Sequence, residues 1–162
     1  MSTDNVANPI TLNSITVEVT PVLDTSEYAD GDTLGAPFAI AGACRREGLD
    51  VVLADVTVLD KAKQSTAIDI MFFRSLPTVA SADNAAINIS DAEMEKCIGG
   101  VSIAAADFKA LSASSYANPA PFNKLLSPAA NSTVLYGQLV CRSGTPTYAA
   151  SSLVIKFKFL QD

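Results

Sequence analysis

Residues 51 to 59 read V-V-L-A-D-V-T-V-L, and residues 66 to 74 read T-A-I-D-I-M-F-F-R. Both runs are strand-length and rich in the branched and aromatic side chains that suit a pleated, half-buried surface. In the first, period two puts Val52, Ala54, Val56 and Val58 on one face and Asp55 and Thr57 on the other, which predicts a core strand. In the second, Ile68, Ile70 and Phe72 alternate with Asp69, Met71 and Phe73. Large apolar residues on both faces imply two covers, a second sheet on one side and a loop or a neighbour on the other.

Working outward, Ile15, Val17 and Val19 alternate with Thr16, Glu18 and Thr20, another half-buried strand. Pro21 cannot donate to a ladder, so this strand is expected to end early or lie at an edge. Further strands are expected over 36–42, near 100–106, 108–113 and 133–142, and over 152–160, where Ile155, Phe157 and Phe159 alternate with Lys156, Lys158 and Leu160. One short helix is expected near 90–98. Ser90 with Glu93 reads as a capping box, and Gly99 is placed to end the helix in a left-handed conformation. Residues 114–132 carry Pro119, Pro121 and Pro128 among Ser, Ala and Asn and read as a long contact-making loop. The sum is about eight strands with no βα alternation, hence a mainly β fold: a two-sheet antiparallel β-sandwich of jelly-roll type with one short helix. Residues 1–12 lack any packing period and read as an extended arm, with the sandwich domain over 13–162.

The chain has 162 residues, enough to bury roughly 70% of its unfolded surface without staples. It is 49% hydrophobic and only 17% charged, which suits a surface partly covered by neighbours. No apolar run approaches the ~20 residues of a bilayer helix, so no membrane partner is expected. The start of the chain has no secretory pattern, and a cytoplasmic origin is the expectation. The net charge is −6 and the basic residues do not cluster beyond Arg45-Arg46 and Lys156/Lys158, which argues against nucleic acid. Cys44, Cys97 and Cys141 are odd in number and widely spaced, so they read as small buried hydrophobes.

Chemistry is hard to find. The chain contains no histidine, which removes the commonest general base and most triads. Carboxylate pairs exist at Asp30/Asp32, Asp50/Asp55 and Asp91/Glu93/Glu95, but each has a plainer reading in a turn, on a strand or at a helix start. After Asp30-Gly31-Asp32 the chain continues Thr, Leu, Gly, Ala, Pro, and the oxygen ligands of a calcium loop run out. The motif therefore reads as a turn, the alternative being an irregular cation site. No enzymatic activity, cofactor or metal is expected.

Y-A-D-G-D-T-L-G-A-P-F at 28–38, D-I-M-F-F-R-S-L-P-T at 69–78, A-D-N-A-A-I-N-I-S-D-A-E at 82–93 and the closing strand together resemble small β proteins encoded with tailed-bacteriophage virion genes. These are capsid decoration, or cement, proteins. The resemblance implies a β-sandwich homotrimer on the outer capsid surface, with the major capsid protein as partner and no catalytic residues. The arm and the proline-containing loop fall outside the matched pattern. They are the expected docking parts, with Val6, Pro9, Ile10, Leu12, Pro119 and Phe122 as capsid-binding residues. A different class, a virion adhesion or fibre-base module that binds a host receptor or glycan, is the alternative.

Overall fold

The computed structural model describes residues 13–161. In chain order the elements are β1 (Asn13–Val19), β2 (Thr33–Ile40), β3 (Val51–Asp60), β4 (Ile68–Phe73), the one-turn helix α1 (Asp91–Met94), β5 (Cys97–Ile103), a 3-10 turn at Ala105–Asp107, β6 (Phe108–Ala110), β7 (Ser115–Ala117), β8 (Lys124–Leu126), β9 (Leu135–Cys141) and β10 (Leu153–Gln161). All strand pairs are antiparallel. One sheet runs β1-β10-β3-β7-β6, with β8 also on β3, and the other runs β2-β9-β4-β5.

Strands β7 and β8 occupy one flank of β3 end to end, β8 against Val51–Leu53 and β7 against Val58–Asp60. Counted as one position, they complete a sheet of order 1-10-3-7 facing one of order 2-9-4-5. The chain crosses between the sheets after β1, β2, β3, β5, β8 and β9, which is the winding of a jelly roll. The core lies between the sheets. Phe157 of β10 sits near its centre, its ring 5.8 Å from Phe72, 6.3 Å from Phe38 and 6.3 Å from Phe159.

Among the described residues ten strands replace the expected eight, because residues 114–132 are not a plain loop. Two three-residue strands sit inside this segment, too short and too interrupted by proline to show a period. Between them the Asn118 amide donates to the Asp55 carboxylate (2.8 Å), to Val56 O and to Thr57 Oγ1, while Phe122 N–H donates to Ala54 O at 3.1 Å. These bonds partly replace the ladder that the proline-containing detour breaks.

The face assignment within 51–59 also differs. Asp55 pairs with Lys158 and Leu53 with Phe159, so Ala54 is an extra residue and forms a bulge. Val51 and Leu53 therefore turn to the core along with Val56 and Val58, and Val52 and Ala54 do not. A bulge shifts the parity of everything on one side of it. By contrast Ile68, Ile70 and Phe72 are fully buried as expected, and Phe73 is buried on the opposite face. β1 ends before Pro21 and is an edge strand.

α1 is shorter than expected. Ser90 Oγ accepts the Glu93 N–H at 3.4 Å, but the Glu93 carboxylate turns to Thr78 N–H (2.6 Å) and to Lys96 Nζ (2.6 Å) instead of closing the box. The helix ends at Glu95 in an ordinary right-handed conformation. Gly99 (φ +139°) belongs to β5, beside the irregularity where Phe72 pairs with Gly99 and Phe73 with Cys97. Cys44 and Cys141 are buried as expected, whereas Cys97 is only half-buried, and all three are free thiols.

Candidate functional site

Two of the stretches singled out in the sequence meet in space. The Asp83 carboxylate accepts hydrogen bonds from Asp24 N–H (2.6 Å), the Tyr28 hydroxyl (2.9 Å) and Gly35 N–H (2.7 Å). Beside it, Asn84 Nδ2 donates to the Asp24 carboxylate at 3.2 Å, and Thr33 Oγ1 donates to Ala82 O at 2.6 Å. Backbone bonds finish the join: Thr33 N–H to Ala85 O, Asn84 N–H to Thr33 O and Ile87 N–H to Gly31 O. Residues 82–87 thus line the start of β2 as an added, irregular strand. Tyr28 is 1% exposed, and burial followed by its bond to the Asp83 carboxylate pushes its phenol well above the ordinary value. The Asp24 carboxyl is lowered, first by the Ser26 N–H.

The Asp30-Gly31-Asp32 stretch is a turn. Gly31 has φ +93°, Asp32 N–H donates to Ala29 O, and the Asp32 carboxylate accepts Ala29 N–H at 2.7 Å. Positive φ at the glycine and a side chain bonding to nearby backbone are how such turns hold. Among the described residues no group of three His, Cys, Asp or Glu is placed to hold a metal.

The loop anchored by Asp83 covers the outer face of β2-β9-β4-β5, as Met71 and Phe73 suggested. Gln138 and Val140, which lie beside Met71 and Asp69 on that face, are fully buried. Gln138 donates Nε2 to Gly35 O and Leu139 O, while its Oε1 has no partner among the described residues. The cover is incomplete. Met71, Ile87, Ile89, Met94 and Arg142 line an open groove of about 230 Å³. Arg142 Nε is held by the Asp69 carboxylate at 2.6 Å, and Asp69 also accepts Ser102 Oγ at 2.5 Å. The floor comes from a strand, one wall from the loop, and the end from α1, whose Glu93 carboxyl is lowered chiefly by its bond to Lys96. The lining offers apolar contact and one guanidinium, which is binding chemistry.

Sequence reasoning saw Met71 as an outward apolar residue but missed the groove. The available signal was Ile87-Asn88-Ile89, an alternation inside a stretch otherwise polar. Of the expected docking residues, Val6, Pro9, Ile10 and Leu12 lie outside the described residues. Pro119 is half-buried, and Phe122 is half-buried and packed against the core. Asn118, Ala120, Pro121 and Asn123 are the exposed part of that detour. Of the carboxylate pairs, Asp50 and Asp91 are exposed, and Asp55 is bonded to Asn118. Among the described residues no helix is long and apolar enough to cross a membrane.

Compared with models of known protein families and with curated proteins, the chain matches none. Among solved structures it aligns with a chain of Desmodium yellow mottle tymovirus at 12% identity and a TM-score of 0.28, over 99% of this chain and 85% of that one. A likeness at that score adds nothing to the fold derived above.

Proposed function

We propose that this chain is a structural virion protein that decorates and stabilises a bacteriophage capsid, bridging neighbouring capsid subunits as a homotrimer on the outer surface. The observation that carries this reading is the junction just described. The stretches 28–38 and 82–93, matched to the decoration-protein pattern on sequence alone, form one hydrogen-bonded unit around Asp83. A pattern whose separated parts support one another in space reads as a shared architecture more than as chance composition. Jelly rolls also serve lectins and cupins, so the fold alone does not choose among functions. The role is non-catalytic, and contacts made only in the assembled shell stabilise it by mass action.

The test is to add the purified full chain to undecorated phage shells and measure sedimentation and the temperature of DNA release. Co-sedimentation with a raised release temperature is expected, and removing residues 1–12 should weaken it. A chain that ignores shells overturns the proposal. Particles that lose only host attachment, and not stability, when the protein is absent would assign it to the adhesion alternative.

A further inference from the structure

Among the described residues the five sheet edges, β1, β2, β5, β6 and β8, are not alike. β2 is lined at its start by residues 82–87, contains Pro37 and has a register irregularity between Leu34 and Phe38. β5 is broken by the irregularity at Cys97–Gly99 and carries Gly99 at φ +139°. β6 and β8 are three residues long each. Short length, proline and bulges are the devices by which native sheets discourage further pairing. β1 has none of them. It is seven residues, N-S-I-T-V-E-V, in unbroken register with β10, without proline or lysine, and among the described residues no backbone hydrogen bond reaches its other side. Its core-facing Ile15, beside Phe159, is still 36% exposed.

We infer that β1 is a self-association edge: a second copy of the chain pairs its own β1 antiparallel to this one across a two-fold axis, joining two sheets into one. The strand itself specifies the register. Directly opposed residues in an antiparallel pair share a face, so an axis normal to the sheet must pass through a residue. On Thr16, and only there, all seven residues pair. Ile15 then meets the second copy's Val17 on the core face, a branched cross-strand pair that covers the exposed isoleucine. Ser14 meets Glu18 on the outer face, and Thr16 meets Thr16, so no like charges are opposed. Glu18 already pairs with Lys156 of its own chain at 3.4 Å and carries no unbalanced charge into the seam. The seam is isologous and closes at two copies.

The contact is smaller than a standard protein interface, so it should be weak in solution, with a Kd of roughly 10–100 μM. Sedimentation velocity of the full-length free protein, without shells, reads it directly, and its outcome is independent of the capsid reading. Wild type should double the mass found at its lowest concentration as concentration rises. Thr16→Glu places a carboxylate beside Lys158 of the same chain, which the fold tolerates, but opposes it to its own copy across the axis. This variant should keep its melting temperature and lose the doubling at least tenfold in concentration, and an equimolar mixture with Thr16→Lys should recover it. A wild type of constant mass overturns the inference, as does a Thr16→Glu variant that associates like wild type. If removing residues 1–12 abolishes association while Thr16→Glu leaves it intact, the contact belongs to the arm and the inference fails.

Discussion

The hydroxyl of Tyr28 lies 2.9 Å from the carboxylate of Asp83, fifty-five positions along the chain, and the same oxygen accepts the Asp24 N–H at 2.8 Å. This bond ties the chain leading into β2 to the loop that covers the second sheet. Tyr28→Phe removes it and leaves Asp83 with two of its three donors. We expect a loss of about 1–2 kcal/mol, seen as a lower urea midpoint at unchanged slope, with faster amide exchange over 82–87. An unchanged midpoint would make the junction a bystander to stability.

The same tyrosine sets an alkaline limit. Burial raises Tyr28 above the ordinary tyrosine value of 10.0, with Asp83 adding to the effect, and burial also raises Tyr148. The folded state therefore holds these protons more tightly than the unfolded chain does. Their contribution is complete below the unfolded value and is lost as pH climbs above it toward the folded one. For these two groups the melting temperature should be level from about pH 7 to about pH 9 and fall above about pH 10, less steeply in Tyr28→Phe. An equal slope in the variant would rule Tyr28 out as a source.

Gly137 makes room for the central aromatic cluster. A Cβ there would sit 2.5 Å from Phe38 Cζ, and Phe38 stacks on Phe157. Gly137→Ala forces the half-buried Phe38 ring off its stacking position against Phe157, and we expect a destabilisation of about 1–3 kcal/mol in thermal or denaturant unfolding. A neutral result would mean that the ring moves freely.

The thiols should separate by reactivity. Burial pushes Cys44 up to about 11 and raises Cys141, while Cys97 is only half-buried. The thiolate is the reactive form. A maleimide added to the native protein near neutral pH should modify Cys97 first, and all three after unfolding, as read by peptide mass spectrometry. Labelling of Cys44 before Cys97 would contradict this burial order.

Much of the architecture was legible because period two survives wherever a strand is regular. Ile68, Ile70 and Phe72, and Ile155, Phe157 and Phe159, face the core as their alternation predicts. The Asp30-Gly31-Asp32 turn was equally local, since glycine's φ and an aspartate's reach to nearby backbone need nothing distant. Where the reading failed, the deciding partner was remote. Ala54 became a bulge because β10 pairs around it, and Glu93 left the capping box because Thr78 and Lys96 were within reach.

The sequence by itself determined the fold class, the core faces of the regular strands and the absence of histidine, because alternation and residue inventory are local properties. Tertiary structure alone decided that residues 28–35 and 82–87 would share the Asp83 carboxylate and that Ile87 and Ile89 would meet Met71 in a groove. Among the described residues it also left β1 as a regular strand at a sheet edge. Each of these depends on which segments the closing of two sheets brings within hydrogen-bond or van der Waals distance, and no spacing along the chain encodes that distance.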